Sequence, residues 1–450
     1  MSYFSTKTLN KYFIINFLFS SLVISFILGN LLLNLNVVLL IVASLFFFKS
    51  KIFDLKLDIF DKILIFFFSY VLLSSFLNSI YFYTVGYNED FKIFIKSITF
   101  LRFLILYFVI KFLIKEDIIN FKIFFIISLM SVTFVCADLI YQLIFGYDIF
   151  GYKAAERRLS GPFGDELIAG SFIQRFSLIS LFAISFFLKF KKKNIKYLAI
   201  LFFVFLFLFS LVISGNRIPL IFFILSLLSL IFFEKWFKKT FFILVPGFLL
   251  ITFSIYNLND NYRIHMLDFK KKAIQIFYPL SSKNIVTNEI EQTKGYNDFY
   301  TFTFQGKKYL LQNSHLKEFK SGLLVWSDKK IFGGGIKSFK ISCQKNKLLN
   351  CGSHPHNYYI EILADLGLVG LVIIFFLFFL ILLKIFFVKY FKKSPLNNFD
   401  LITPFIFLFL FEIFPIKSTG SFFTTGNATY IFLLLSIIIS LNKIRLNRCS

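Results

Sequence analysis

Apolar runs of 17–25 residues recur from one end of this chain to the other, and each is long enough to cross ~30 Å of hydrocarbon. Inside a bilayer a segment must satisfy its own backbone N–H and C=O groups, so runs of this length fold as helices. Hydrophobic residues make up 58% of the 450, above the share found in a soluble domain. The expected fold is therefore an all-α integral membrane protein with about twelve transmembrane helices. Their expected positions are 12–28, 31–48, 59–77, 94–114, 121–145, 167–188, 197–213, 218–233, 240–257, 359–383, 399–416 and 427–441. The first has no small-residue cleavage site behind it and reads as a retained helix. Residues 1–257 hold helices one to nine, 258–358 form one large loop, and 359–450 hold the last three helices and a short tail.

Lysine placement orients the bundle. Alternate short connections carry Lys49, Lys51, Lys56 and Lys62, then Lys111, Lys115 and Lys122, then Lys189, Lys191, Lys192, Lys193 and Lys196. The series continues with Lys235, Lys238 and Lys239, Lys384, Lys389, Lys392 and Lys393, and Lys443, Arg445 and Arg448. The intervening short loops hold few: Lys92, Lys153, Arg157, Arg158, Arg217 and Lys417. By the positive-inside rule both termini are cytoplasmic and the large loop lies on the outer side. The net charge of +25 is then mostly a topology signal, and no basic soluble face supports a nucleic-acid partner.

Two of the four histidines sit where the large loop meets the tenth expected helix, in Cys351-Gly352-Ser353-His354-Pro355-His356-Asn357. With 72 phenylalanines in the chain a single Phe says little, whereas a histidine at a membrane boundary is informative. Proline favours the first helical turn, which puts His356 at the positive end of the helix dipole. Such a site disfavours imidazolium and leaves a neutral ring able to accept a proton. Asn357 is placed to orient a substrate hydroxyl or that ring. The other readings of this stretch are a histidine that merely caps a span, and a His354/His356 metal site, which lacks a carboxylate or cysteine cluster at ligand spacing. Cys343 and Cys351, eight residues apart in a loop assigned to an oxidising compartment, are either a disulfide steadying the histidines or two unpaired thiols.

Three further polar elements interrupt the apolar pattern. Ser214-Gly215-Asn216-Arg217 makes a tight turn with Pro219 opening the next helix, so free backbone N–H groups and a guanidinium form an anion site. An ordinary turn with a snorkelling arginine is the plain alternative. Residues 157–166, from Arg157 to Glu166, are polar and turn-rich, and Arg175 follows inside a span. A mid-membrane arginine costs ~2.5–3.5 kcal/mol on insertion scales, so Arg175 should face a polar cavity, and Arg102 invites the same argument more weakly. Gly333-Gly334-Gly335 lacks the Lys-Ser/Thr and strand–helix setting of a phosphate loop and reads as structural. Lys270, Lys271 and Lys272 read as a solvated face.

His356-Asn357, followed by Gly367 and Gly370, resembles the signature of the O-antigen ligase and O-antigen polymerase family of bacterial inner-membrane glycosyltransferases. Ser214-Gly215-Asn216-Arg217 resembles that family's Ser-x-Ser-Arg element, with Asn216 in place of the usual small hydroxyl residue. The stretch from Arg158 to Gly170 resembles its arginine- and glycine-bearing segment after the fifth span. The resemblance implies both termini in the cytoplasm of a bacterial cell and a periplasmic loop between helices nine and ten. It implies transfer of an undecaprenyl-pyrophosphate-linked glycan, on the periplasmic face, to lipid A–core or to another lipid-linked glycan, without a cofactor.

Such a transfer needs a base for the acceptor hydroxyl and positive charge for the leaving group. His356 suits the first. Arg217, with Arg158 and Arg175, suits the second, and Asn357, His354, Ser214 and Asn216 are further candidates for holding substrate. No Asp-x-Asp pair occurs, which argues against a metal-held nucleotide-sugar donor, so no metal ligand is assigned. The alternative is a transporter of lipid-linked oligosaccharide, which would use the same arginines but has no need of His356.

Overall fold

The computed structural model describes residues 6–84, 91–154, 158–234, 301–304, 307–310, 314–346, 351–391, 401–415 and 420–447, with single positions 237, 247, 253, 257, 263, 348, 417 and 418. The chain runs α1 (Thr6–Leu28), α2 (Asn30–Phe48), α3 (Ile59–Thr84), α4 (Lys92–Phe100), α5 (Arg102–Lys115), α6 (Phe121–Phe145), α7 (Ala169–Phe186), α8 (Lys193–Ile213) and α9 (Arg217–Phe233). After the described part of the large loop come α12 (Tyr358–Ile381), extended to Phe391 through a π-helical turn, α13 (Ile402–Glu412) and α14 (Thr425–Asn447). Within the loop itself lie strands β1 (Thr301–Phe304) and β2 (Lys307–Leu310) and helices α10 (Ser314–Asp328) and α11 (Phe339–Lys345).

Among the described residues nine segments are long and apolar enough to cross a membrane, and α9 and α13 are shorter apolar helices. Most of the expected ninth span, 240–257, lies outside the described residues, as do Arg157, Lys270–Lys272, Cys449, several of the topology lysines and most of 258–313. The all-α expectation meets one exception, the antiparallel hairpin of β1 and β2, which pairs Thr301 with Leu310 and Phe304 with Lys307.

The expected helix 94–114 lies within one continuous span, Lys92–Lys115, in which Leu101 between α4 and α5 keeps helical dihedrals of φ −56° and ψ −24°. Around that residue Ser97 and Thr99 donate to the carbonyls of Phe94 and Lys96, and Arg102 Nη1 donates to Thr99 O at 2.7 Å. Two spans differ from their sequence reading, each for a local reason. The expected span 399–416 is helical only from Ile402 to Glu412. Eleven residues rise about 17 Å, half a bilayer. The chain then continues in non-helical form past Pro415, an arrangement stable at depth only where the backbone lines a cavity. Pro355, expected in the first turn of α12, lies outside it: Asn357 is the cap, and His356 precedes the cap with a positive φ of 53°.

The middle of the bundle belongs to α7 and α14. Of their membrane windows 83% and 78% is buried, against 33% for α1 and for α2, which face outward. Small residues explain the difference: Gly170, Ser177, Ser180 and Ala183 on α7 let neighbouring helices close on it. It packs on α6, α8, α9 and α13.

A backbone break in α12 joins the loop to the bundle. Gly367 takes φ 67° and ψ −168°, and a Cβ there would collide with the carbonyl of Ile331. The gap in the helical ladder is filled by the loop: Leu368 N and Val369 N donate to Lys330 O and Ile331 O, and Gly335 N donates to Asp365 O at 2.7 Å. Gly333 is needed for the same approach, since its Cβ would meet the Asp365 carbonyl. Tyr70, Ser74 and Asn78 of α3 hold the other side of this segment through Phe332 O and Gly333 O. The glycine triplet is thus the part of the loop that docks into a broken helix.

Gly367→Ala combines a left-handed backbone with a collision, so it is expected to destabilise by on the order of 1–3 kcal/mol. Gly426→Ala, whose Cβ would sit 3.6 Å from Asn30 Oδ1, should leave stability unchanged. Thermal unfolding of both variants in detergent reads this as a lowered melting temperature for the first alone.

Candidate active site

A cavity of about 1260 Å³ opens between α1, α6, α7, the α8–α9 turn, the His356 loop and the connection from α13 to α14. From α1 and α6 the lining is mainly apolar, with Ile24, Leu28, Met130 and Phe134. Of these, Leu28 and Met130 are more than half exposed, so this wall is continuous with the outer surface of the bundle. The remaining elements supply polar groups: Gln174, Arg175, Asn216, His356, Lys417 and Asn427.

Arg175 sits on the buried helix α7 and meets its counter-charge at the C-terminal end of α13. Its Nη2 lies 2.6 Å from Glu412 Oε1 and donates to Asn427 Oδ1 at 2.6 Å, while its Cζ is 4.9 Å from the centre of the Tyr430 ring. Glu412 is fully buried and saturated: it also accepts from Tyr358 Oη at 2.7 Å and from Lys417 Nζ at 2.8 Å. Two cations face one carboxylate, so the cluster carries a net charge of +1 on the cavity wall. Burial lowers the pKa of the Lys417 ammonium below the usual lysine value, with Glu412 opposing that shift. Arg175 meets the expectation of a polar cavity, but as a member of an ion-paired cluster. Beside it, Gln174 is 2% exposed and its amide nitrogen has no hydrogen-bond partner among the described residues.

The α8–α9 turn closes the site from another direction. Ser214 is fully buried, and its Oγ donates to Leu211 O. Asn216 occupies the N-cap position of α9 without a side-chain capping bond and lines the cavity, whereas Arg217, the first residue of α9, does not line it. Gly170 on α7 carries the contact, since a Cβ there would fall 2.6 Å from Asn216 Cβ and 2.8 Å from Ser214 Oγ. Arg158 is exposed and stands outside the cavity lining.

His356 lines the cavity, with Nε2 3.6 Å from Glu318 Oε2 of α10. Its ring centre is 4.2 Å from that of His354, whose Nδ1 is 2.8 Å from Ser353 Oγ. The sequence showed no carboxylate cluster at metal-ligand spacing beside these histidines; the fold brings Glu318 to His356 from 38 positions upstream. Asn357 is engaged on both sides: Oδ1 accepts from Tyr359 N and Ile360 N as a helix cap, and Nδ2 donates to Pro415 O at 2.7 Å and Lys417 O at 3.2 Å. It fixes the start of α12 to the chain that carries Lys417. Cys343 of α11 and Cys351 form a disulfide with Cα atoms 5.6 Å apart, which ties α11 to the histidine loop.

Sequence reasoning passed over Glu412, Glu318, Gln174 and Tyr358, and took Lys417 only as a loop charge. A signal existed for Glu412, a lone carboxylate within an otherwise apolar run of residues 404–414. For Glu318, one acid in a polar loop, there was none.

Residues 201–375 match the family model described as O-antigen ligase. The match starts within α8, contains the Ser214–Arg217 turn and α9, and ends in α12 beyond His356, Gly367 and Gly370. No curated protein matches the chain.

Glu412→Gln leaves two buried cations without their carboxylate and is expected to destabilise by roughly 3–5 kcal/mol. Adding Lys417→Met removes one of those cations and should recover part of the loss. Melting temperatures of the single and double variants in detergent test this; a double variant no more stable than Glu412→Gln contradicts the pairing.

Proposed function

We propose, with the O-antigen ligase match over residues 201–375 as premise, that this chain is a membrane glycosyltransferase that moves a polyprenyl-pyrophosphate-linked glycan onto a sugar hydroxyl at the periplasmic face. The observation that carries the reading is the composition of one cavity: an imidazole, a net-positive cluster and an apolar wall reaching the bundle surface. A lipid-linked pyrophosphate has the same three parts, a reacting sugar, an anion and a long apolar tail.

In this reading the tail enters across Leu28, Met130 and Phe134, and the pyrophosphate lies against Arg175 and Lys417. Gln174 and the α8–α9 turn at Asn216 supply further hydrogen-bond donors. Arg217 contributes charge behind the turn. The acceptor oxygen attacks the anomeric carbon and His356 takes its proton. As the new bond forms, the bond from that carbon to the phosphate oxygen breaks, and the polyprenyl pyrophosphate leaves with its charge stabilised by the cations. One displacement inverts the anomeric centre. The acceptor is lipid A–core in a ligase and a second lipid-linked glycan in a polymerase, and lipopolysaccharide banding in a deletion strain separates them. Loss of a polymerase leaves a single-repeat cap, whereas loss of a ligase leaves bare core and accumulated lipid-linked polymer.

His356→Ala is expected to lower transfer by ~10²–10⁴-fold in proteoliposomes given a synthetic polyprenyl-pyrophosphate glycan, with donor binding retained. Normal surface polysaccharide in a His356→Ala strain would instead favour a transporter. Lys417 loses its proton at a lower pH than a free lysine, so the cluster falls from +1 to neutral as pH rises through that range. Donor binding should therefore weaken on the alkaline side, and Lys417→Arg should abolish that decline. Titration of donor binding by the two proteins across alkaline pH checks it.

A further inference from the structure

We infer that residues 329–335, part of the large loop by sequence, form a re-entrant segment that enters one leaflet of the membrane and lies against its acyl chains through Ile331 and Phe332. This stands apart from the glycan-transfer reading above and does not depend on it.

Helix α3 gives the depth. Its apolar span runs from Ile59 to Tyr81, 23 residues that rise about 34 Å, close to the thickness of the hydrocarbon. Tyr70, Ser74 and Asn78 recur every four residues and so share one face of that helix. Ser74 Oγ donates to Phe332 O at 3.0 Å, and Ser74 lies seven residues before Tyr81, so Phe332 sits about 10 Å in from that end of the span. Gly335 lets the segment come this close, since a Cβ there would fall 3.2 Å from Ser75 Cα.

The backbone of the segment is satisfied in the way hydrocarbon demands and water does not. Lys330 O accepts from Trp326 Nε1 and from Leu368 N, both at 2.9 Å, and Ile331 O accepts from Val369 N at 3.2 Å. Phe332 O accepts from Tyr70 Oη as well as from Ser74, and Gly333 O from Asn78 Nδ2 at 3.2 Å. Four successive carbonyls therefore have protein donors. The N–H groups follow suit: Gly333 donates to Lys329 O, Gly334 to Ala364 O, Gly335 to Asp365 O and Ile336 to Ser75 Oγ.

With the backbone turned inward, the two large apolar side chains face out. Ile331 is 58% and Phe332 62% exposed. Their surroundings are the outer faces of spans: Leu73 and Leu77 of α3 and Leu368 and Val372 of α12 are exposed on either side. The apolar surface thus runs without interruption from α3 across the segment to α12, and the bilayer that covers the helices covers the segment too. Lysine placement agrees. Lys329 Nζ donates to Asn78 Oδ1 at 2.6 Å and lies 4.4 Å from the centre of the Tyr81 ring, so its charge is drawn toward the end of the span. Lys330 has a stem long enough to do the same.

The test places a nitroxide on Phe332→Cys in the full chain, in nanodiscs of phosphatidylcholine, and reads its collisions with oxygen, which concentrates in lipid, and with a water-soluble nickel chelate. Leu73→Cys on α3 marks the lipid. Leu316→Cys marks the aqueous part of the loop: Leu316 is apolar and 40% exposed, but lies six positions before the Gly322 that meets Pro355 ahead of α12. The unsubstituted chain, labelled alike, gives the background from its own cysteines, and Ile331→Cys guards against a Phe332→Cys protein that folds poorly. The labels at 331 and 332 should match Leu73→Cys, with oxygen collisions kept and nickel collisions lost, while Leu316→Cys meets nickel. Nickel collisions at 331 and 332 equal to those at Leu316→Cys overturn the insertion. Labels there that meet neither reagent overturn the lipid contact, because a second copy of the chain then covers the pair.

Discussion

The contact between Arg175 and Glu412 organises the middle of this protein. An arginine on the most buried helix would be expensive against lipid, and a carboxylate at the end of a half-length helix would be equally so. Each is tolerable because the other is 2.6 Å away. Once Glu412 is fixed there, α13 stops at that depth, and the chain beyond it runs non-helically along the cavity with Lys417 completing the cluster. Asn357 then bonds the carbonyls of Pro415 and Lys417, which sets where α12 begins. His356 precedes that cap. A continuous series of polar contacts therefore links the intramembrane arginine to the imidazole, and the charge that would hold a pyrophosphate is built into the scaffold that would hold the base.

A second constraint acts from the loop side. The break in α12 at Gly367 leaves backbone groups that an inserted segment satisfies: Lys330 and Ile331 supply carbonyls to Leu368 and Val369, and Gly334 and Gly335 donate to the carbonyls of Ala364 and Asp365. That insertion anchors the loop between α3 and α12, while the Cys343–Cys351 disulfide and the docking of Gly322 on Pro355 fix α10 and α11 over the histidines. Gly367 thus serves geometry: its spacing from His356-Asn357 reflects the distance from the helix cap to the point where the loop enters.

Much of the architecture was legible because a membrane imposes a length scale on apolar runs. The spans from α1 to α3 and from α6 to α9 lie where hydropathy puts them. Span 399–416 hid its early end, because Phe414 and Ile416 continue the apolar pattern past the point where Glu412 is needed. At the site, Arg175 and His356 stood out as rare residue types in costly places. Asn357 was legible as important but not in how it acts, since its partners Pro415 and Lys417 are far along the chain. Glu318 was invisible for the same reason. Pairing over long sequence separation is set by packing, and no local pattern records it.

The central claim is that a pyrophosphate and an acceptor sugar meet in the cavity between the Arg175–Glu412–Lys417 cluster and His356. The most direct measurement is a cryo-EM structure of the full chain in lipid nanodiscs with a non-hydrolysable polyprenyl-pyrophosphate glycan. The account predicts phosphate density within hydrogen-bond reach of Arg175 or Lys417, the first sugar toward His356, and the lipid tail leaving past Met130. Phosphate density outside this cavity, or a sugar on the far side of the cluster from His356, would contradict it.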